Sequence, residues 1–86
     1  MHEMSIALEV SRIAQDYVGR DEVHRVVLVG MDVGEEAGVE VGSLEFCLEA
    51  VLTQPPFHNV RVVIKTVPGD VLLLAYLEID DGRPKN

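Results

Sequence analysis

The sequence predicts an α/β (α+β) fold: one two-layer domain with a small three-stranded mixed sheet flanked by two helices. Three observations lead there. Apolar residues recur at helical spacing over two stretches, 4–19 and 44–52. Three runs rich in Val, Leu and Ile, at 24–33, 60–67 and 71–79, read as strands. The order helix, strand, helix, strand, turn, strand lays helices over a sheet, and 86 residues is enough for one small core. The domain is expected to span residues 1–80, with 81–86 as a polar tail.

In the first helix, Met4 to Gly19, residues Ile6, Val10, Ile13, Ala14 and Tyr17 form the apolar face. Glu9, Arg12, Gln15 and Asp16 fill the other, and Gly19 supplies the stop. In the strand His24 to Val33, Val26, Leu28 and Gly30 share one face; Val27, Val29 and Met31 share the other. Gly34, Gly38 and Gly42 follow at four-residue spacing, but no Lys-Ser/Thr comes after them, so this is not a phosphate loop. Ser43 is placed to cap the second helix, Leu44 to Leu52, whose stripe is Leu44, Leu48, Val51 and Leu52. Cys47 within it reads as a buried thiol.

Gln54-Pro55-Pro56 ends that helix, and Val60 to Val67 alternates as a half-exposed strand. Pro68-Gly69-Asp70 is a turn. Val71 to Ile79 is apolar on both faces, which predicts the central strand of the sheet. It should form an antiparallel hairpin with Val60 to Val67 and take His24 to Val33 on its other side. The latter strand would then be a poorly protected edge, and a weak or strand-swapped homodimer would cover it.

Composition removes several classes of function. A net charge of −8 argues against a phosphate backbone as ligand and favours cations or a basic partner surface. The single cysteine can form neither an internal disulfide nor a multi-cysteine zinc cage, so no structural zinc is expected. No run of about 18 apolar residues and no secretory pattern is present, which makes the cytoplasm the default location. Glu35 and Glu36 lack any activated nucleophile beside them and read as a solvated acidic loop, so no enzyme is expected.

Met1-His2-Glu3 carries the most chemistry. On an unblocked chain the Met1 amine, the His2 amide nitrogen and a His2 ring nitrogen can join one chelate, with the Glu3 amide nearby. Displacing protons from backbone amides needs a metal that favours a planar nitrogen field, which points to Ni(II) or Cu(II) rather than zinc. The chelate needs Met1 to be the first residue, and Met1 should be retained because His2 is not small. The tripeptide also leads into the first helix, where backbone N–H groups have no helical partner. Glu3 offsets the opposition of the helix dipole to a cation there.

Several motifs, in order, carry a resemblance. Met1-His2-Glu3-Met4-Ser5 precedes an amphipathic helix. Val33-Gly34-Glu35 leads through Gly38-Val39-Glu40 to Leu44-Glu45-Phe46. Val67-Pro68-Gly69 and Leu77-Glu78-Ile79-Asp80 follow. Together they resemble the hydrogenase nickel-incorporation family, HypA/HybF, over essentially the whole chain. The resemblance implies that Met1, His2 and Glu3 bind Ni(II), with His2 the principal ligand and Glu3 a tuning carboxylate. It implies delivery of nickel toward [NiFe] hydrogenase, and in some organisms urease, as a metallochaperone in hydrogenase maturation. The partners implied are the GTPase of the maturation pathway and the hydrogenase large subunit.

One departure is large. The family carries a zinc domain with two Cys-x-x-Cys pairs between its last two strands, whereas here Pro68-Gly69-Asp70 runs straight into Val71. His24 and His58 could replace a lost ligand, although each is more often a surface or turn residue. Retention of Met1-His2-Glu3 favours a nickel-binding chaperone. Loss of the zinc domain favours a non-catalytic adaptor or competitor that keeps the family's docking face without delivering metal.

Overall fold

The computed structural model describes residues 2–80. Helix α1 (Glu3–Val18) stops where Gly19 takes φ 87°, a conformation that favours glycine, and the Gly19 N–H reaches back to the Gln15 carbonyl at 2.9 Å. Its solvent face is laced by Arg12, which pairs with Glu9 at 2.6 Å and Asp16 at 2.8 Å. The buried face is rotated from the expected one: Ala7, Val10 and Ala14 are buried, while Ile13 and Tyr17 are exposed. The two alanines let the helix backbone approach its neighbours, which leaves the bulky Ile13 and Tyr17 at the margin of the contact.

The first strand begins later than the sequence suggests. His24 lies in a single 3-10 turn, Val23–Arg25, and strand β1 is Val26–Gly34. The turn is held by Arg25, whose guanidinium donates to the Glu22 carboxylate at 3.0 Å and to the Asp80 carbonyl at 2.9 Å. Helix α2 (Val41–Leu52) starts earlier than expected, and its N-cap is Glu40 rather than Ser43. The Glu40 carboxylate accepts the N–H of Gly42 at 3.2 Å and of Ser43 at 2.5 Å, satisfying two otherwise unpaired amides. Leu44, Cys47, Leu48 and Leu52 are buried, with Val51 half-buried beside them.

Strands β2 (Arg61–Val67) and β3 (Leu72–Ile79) complete a mixed sheet in the order β2-β1-β3. The expected hairpin does not form, and β3 is not central. β1 is central, parallel to β2 with Val29 opposite Val62, and antiparallel to β3 with Val29 opposite Leu77. A parallel neighbour needs a crossover, which α2 provides. Pro68, Gly69 and Asp70 then carry the chain over the end of β1 to its far side. Three successive amides hold that bridge: Gly34 N–H donates to Val71 O at 2.5 Å, Glu35 to Val67 O at 2.8 Å and Glu36 to Gly69 O at 2.8 Å. Gly34 is required there, since a β-carbon would collide with the Gly69 carbonyl and lie 2.6 Å from the Val71 nitrogen. Because β1 is not an edge, the surface on which edge-to-edge pairing of that strand rested does not exist.

Val29, Met31 and Val33 of β1 are buried, with Val62 and Ile64 of β2 and Leu72, Leu74 and Leu77 of β3 packed beside them under the helices. Each fully buried aliphatic side chain contributes about 1.5–3 kcal/mol. The opposite face of the sheet is open, with Arg61, Val63, Lys65, Leu73, Tyr76 and Glu78 exposed. A bulge shifts the pairing between Gly30 and Met31 and brings the Tyr76 ring over Gly30, where a β-carbon would lie 2.7 Å from Cδ1. The tail at 81–86 lies outside the described residues.

Candidate metal centre

His2 is the N-cap of α1. It has extended backbone angles (φ −86°, ψ 106°), and its carbonyl accepts the amides of Ser5 at 3.1 Å and Ile6 at 3.3 Å. A cap residue gives its carbonyl to the helix while its own amide stays outside the ladder. The imidazole makes no capping hydrogen bond and is exposed, so both ring nitrogens are accessible.

Glu3 occupies the first helical position, and its carboxylate crosses to the second helix. Its Oε2 accepts the Glu40 N–H at 3.1 Å. That bond, and then one from its own amide, holds the Glu3 carboxyl below the usual glutamate range. The starts of α1 and α2 therefore meet, each carrying a carboxylate near the positive end of its dipole. Sequence reasoning missed Glu40. Its signal was a carboxylate one residue before an apolar stretch, obscured because the long glutamate side chain is an uncommon N-cap.

Chemically, this corner offers an accessible imidazole, backbone nitrogens outside the helical ladder and two anionic groups that counter the helix dipoles. Among the described residues no group of three or more His, Cys, Asp or Glu side chains is placed to hold a metal ion. Met1, expected to supply the amine, lies outside the described residues.

A family model described as hydrogenase/urease nickel incorporation, metallochaperone, hypA matches residues 1–72. The chain belongs to the HypA family. The Hydrogenase maturation factor HypA of Azoarcus sp. (strain BH72) is 41% identical over 69 residues, which cover 80% of this chain and 60% of that protein. The Hydrogenase maturation factor HypA of Albidiferax ferrireducens is 33% identical over 78 residues, 91% of this chain and 69% of that one. The chain thus spans about two-thirds or less of the length of these relatives. The solution structure of the Ni metallochaperone HypA from Helicobacter pylori aligns with TM-score 0.67 at 12% identity, covering 95% of this chain and 89% of that one. At that identity the likeness is one of fold, and it agrees with the two-helix, three-strand architecture.

The remaining histidines of this HypA-family chain are not at the corner. His24 and His58 are exposed and line one shallow hollow with Asn59 and Asp80, beside the start of β1. His2 lies beyond the other end of that strand, which spans about 30 Å at about 3.3 Å per residue. Neither can complete a site at His2. Cys47 is a buried free thiol, as its place in the α2 stripe suggested.

Proposed function

We propose that this chain is a nickel-binding, non-enzymatic metallochaperone of hydrogenase maturation, taking up one Ni(II) at its N-terminus. The metal is cargo. The Met1 amine, the His2 amide nitrogen and the His2 imidazole form the chelate, and Glu3 stands beside it as an anionic neighbour. The observation that carries this reading is the exposed imidazole of His2, free of any capping hydrogen bond, at the corner where the starts of α1 and α2 meet through Glu3 and Glu40. The family match and the names of the relatives supply the pathway. By the same reading the partners are the maturation GTPase and the hydrogenase large subunit, in the cytoplasm.

Glu3 has a second task in this reading. Its hydrogen bond to Glu40 anchors the first turn of α1, so the chelating residues start from a fixed point. Releasing nickel to an acceptor then requires breaking metal–nitrogen bonds at a solvent-facing corner and needs no opening of the core.

The test is a nickel titration by calorimetry on protein with a free Met1 amine. One Ni(II) should bind per chain. His2→Ala should abolish binding, while His24→Ala and His58→Ala should leave it nearly unchanged. An N-terminal tag should also remove it, since the amine becomes an amide. Binding should weaken on acidification because the nitrogen donors must lose protons. Unchanged affinity in His2→Ala would overturn the reading. The short bridge at Pro68–Asp70, where the family carries its zinc domain, favours a second reading as an adaptor or competitor. Absence of nickel binding by the untagged protein would leave that one standing.

A further inference from the structure

The two edges of the sheet are guarded differently. The β2 edge carries Arg61 and Lys65, both exposed, a common protection against unwanted strand pairing. The β3 edge has no such guard, because the chain from Val71 to Leu77 contains no charged residue. Leu73, Tyr76 and Ile79 on β3 are 45%, 46% and 44% exposed. Beside the strand runs a shallow groove of about 390 Å³ whose helical wall is Ile13 and Tyr17, the latter 81% exposed. Apolar surface therefore continues around this edge, from the α1 side through the strand to the open face of the sheet. Acidic residues stand at both ends of the run, Asp70 directly before it and Glu78 directly after it, both exposed.

We propose that β3 is a docking edge for an extended segment of a partner protein, apolar at alternate positions and carrying Lys or Arg at each end. The outward backbone groups of an edge strand select an extended occupant, since only a strand can pair with them in register. Alternate side chains of that segment fall on opposite faces, one set into the groove at Ile13 and Tyr17, the other onto Leu73 and Tyr76. The bulge at Ala75 divides the edge, so pairing proceeds on either side of it. Charge chooses between partners. Antiparallel pairing of two copies centred on Leu74 would set Asp70 of one beside Glu78 of the other, on chains that each carry −8. A basic-flanked segment meets those carboxylates with opposite charge. This inference stands independently of nickel binding.

The experiment is selection of a displayed library of random peptides, about 12 residues long to cover a strand and its flanks, on the immobilised chain. A parallel selection uses the double variant Asp70→Lys, Glu78→Lys. Wild type should enrich peptides with alternating apolar residues and basic flanks. A synthetic peptide of that consensus should shift the amide resonances of residues 72–79 and leave those of 61–67 in place. The double variant should bind it at least about tenfold more weakly and lose the preference for basic flanks. If that variant does not fold, as judged by its amide spectrum, Tyr17→Ser should weaken the same peptide. No enrichment over bare support, a consensus indifferent to charge reversal, or shifts confined to β2 or the open face would overturn the proposal. So would movement of the β3 resonances on diluting the chain alone, because the occupant would then be a second copy.

Discussion

Gly34→Ala tests the bridge over the end of β1. A β-carbon at this position meets backbone on both sides: the Gly69 carbonyl oxygen, the Gly69 carbonyl carbon at 2.7 Å and the Val71 nitrogen at 2.6 Å. No change of rotamer relieves a clash with main chain, so the bridge must lift or the strand end must bend. Either movement breaks the bonds that Gly34, Glu35 and Glu36 donate to Val71, Val67 and Gly69. At about 1 kcal/mol net for each intramolecular hydrogen bond, the loss is about 3 kcal/mol. For a chain of this size that is a large part of a total of about 4–13 kcal/mol. The melting midpoint should fall by about 12–24 °C, read by circular dichroism alongside a urea titration. A loss under about 1 kcal/mol, with amide resonances unchanged beyond the immediate neighbours, would show that the bridge is not pinned at Gly34.

Gly42→Ala should do the opposite: its β-carbon would meet only the Glu40 carboxylate at 3.4 Å or beyond, and alanine stabilises a helix by up to about 1 kcal/mol over glycine; destabilisation in a urea titration would contradict the capping geometry. Glu3→Gln should reduce stability at neutral pH. Because the folded-state value of Glu3 is depressed, the wild-type advantage is complete above the ordinary glutamate value of 4.5 and disappears as pH falls through the depressed one; melts of both proteins across that window should converge on the acid side. Metal-free protein should melt cooperatively with a midpoint indifferent to strong chelators, and a large drop on chelation would reveal a structural metal site.

The elements were legible in the sequence because periodicity is local. Val10 and Ala14 mark α1, and the Leu44–Leu48–Leu52 stripe marks α2. Met1-His2-Glu3 stands out in the sequence as a candidate chelate because its donors are consecutive, and the nickel titration is what tests it. What could not be read is what depends on neighbours distant in sequence. Which arc of α1 is buried depends on the close approach made at Ala7 and Ala14. Strand order depends on where α2 returns the chain, and the apolar composition of β3 pointed to the centre of the sheet when it belongs to an exposed edge. Glu40 is the same kind of case: nothing local announces that its amide meets Glu3, because that meeting is made only when β1 delivers the second helix alongside the first.

A sheet whose middle strand comes first in the chain has no local seed. β1 pairs only with strands made later, and β2 and β3, joined by the shortest connection, do not pair with each other. Every rung must therefore close a long loop before any bonding offsets the lost entropy, which slows folding relative to a hairpin-nucleated sheet of equal size. During synthesis β1 emerges with both flanks open, gains β2 on one of them once residues 61–67 are made, and keeps the other open until β3 has followed Val71 across Gly34. The helices, whose contact with each other needs no sheet, are the part free to assemble in the meantime. The last strand made is then also the one that closes the fold.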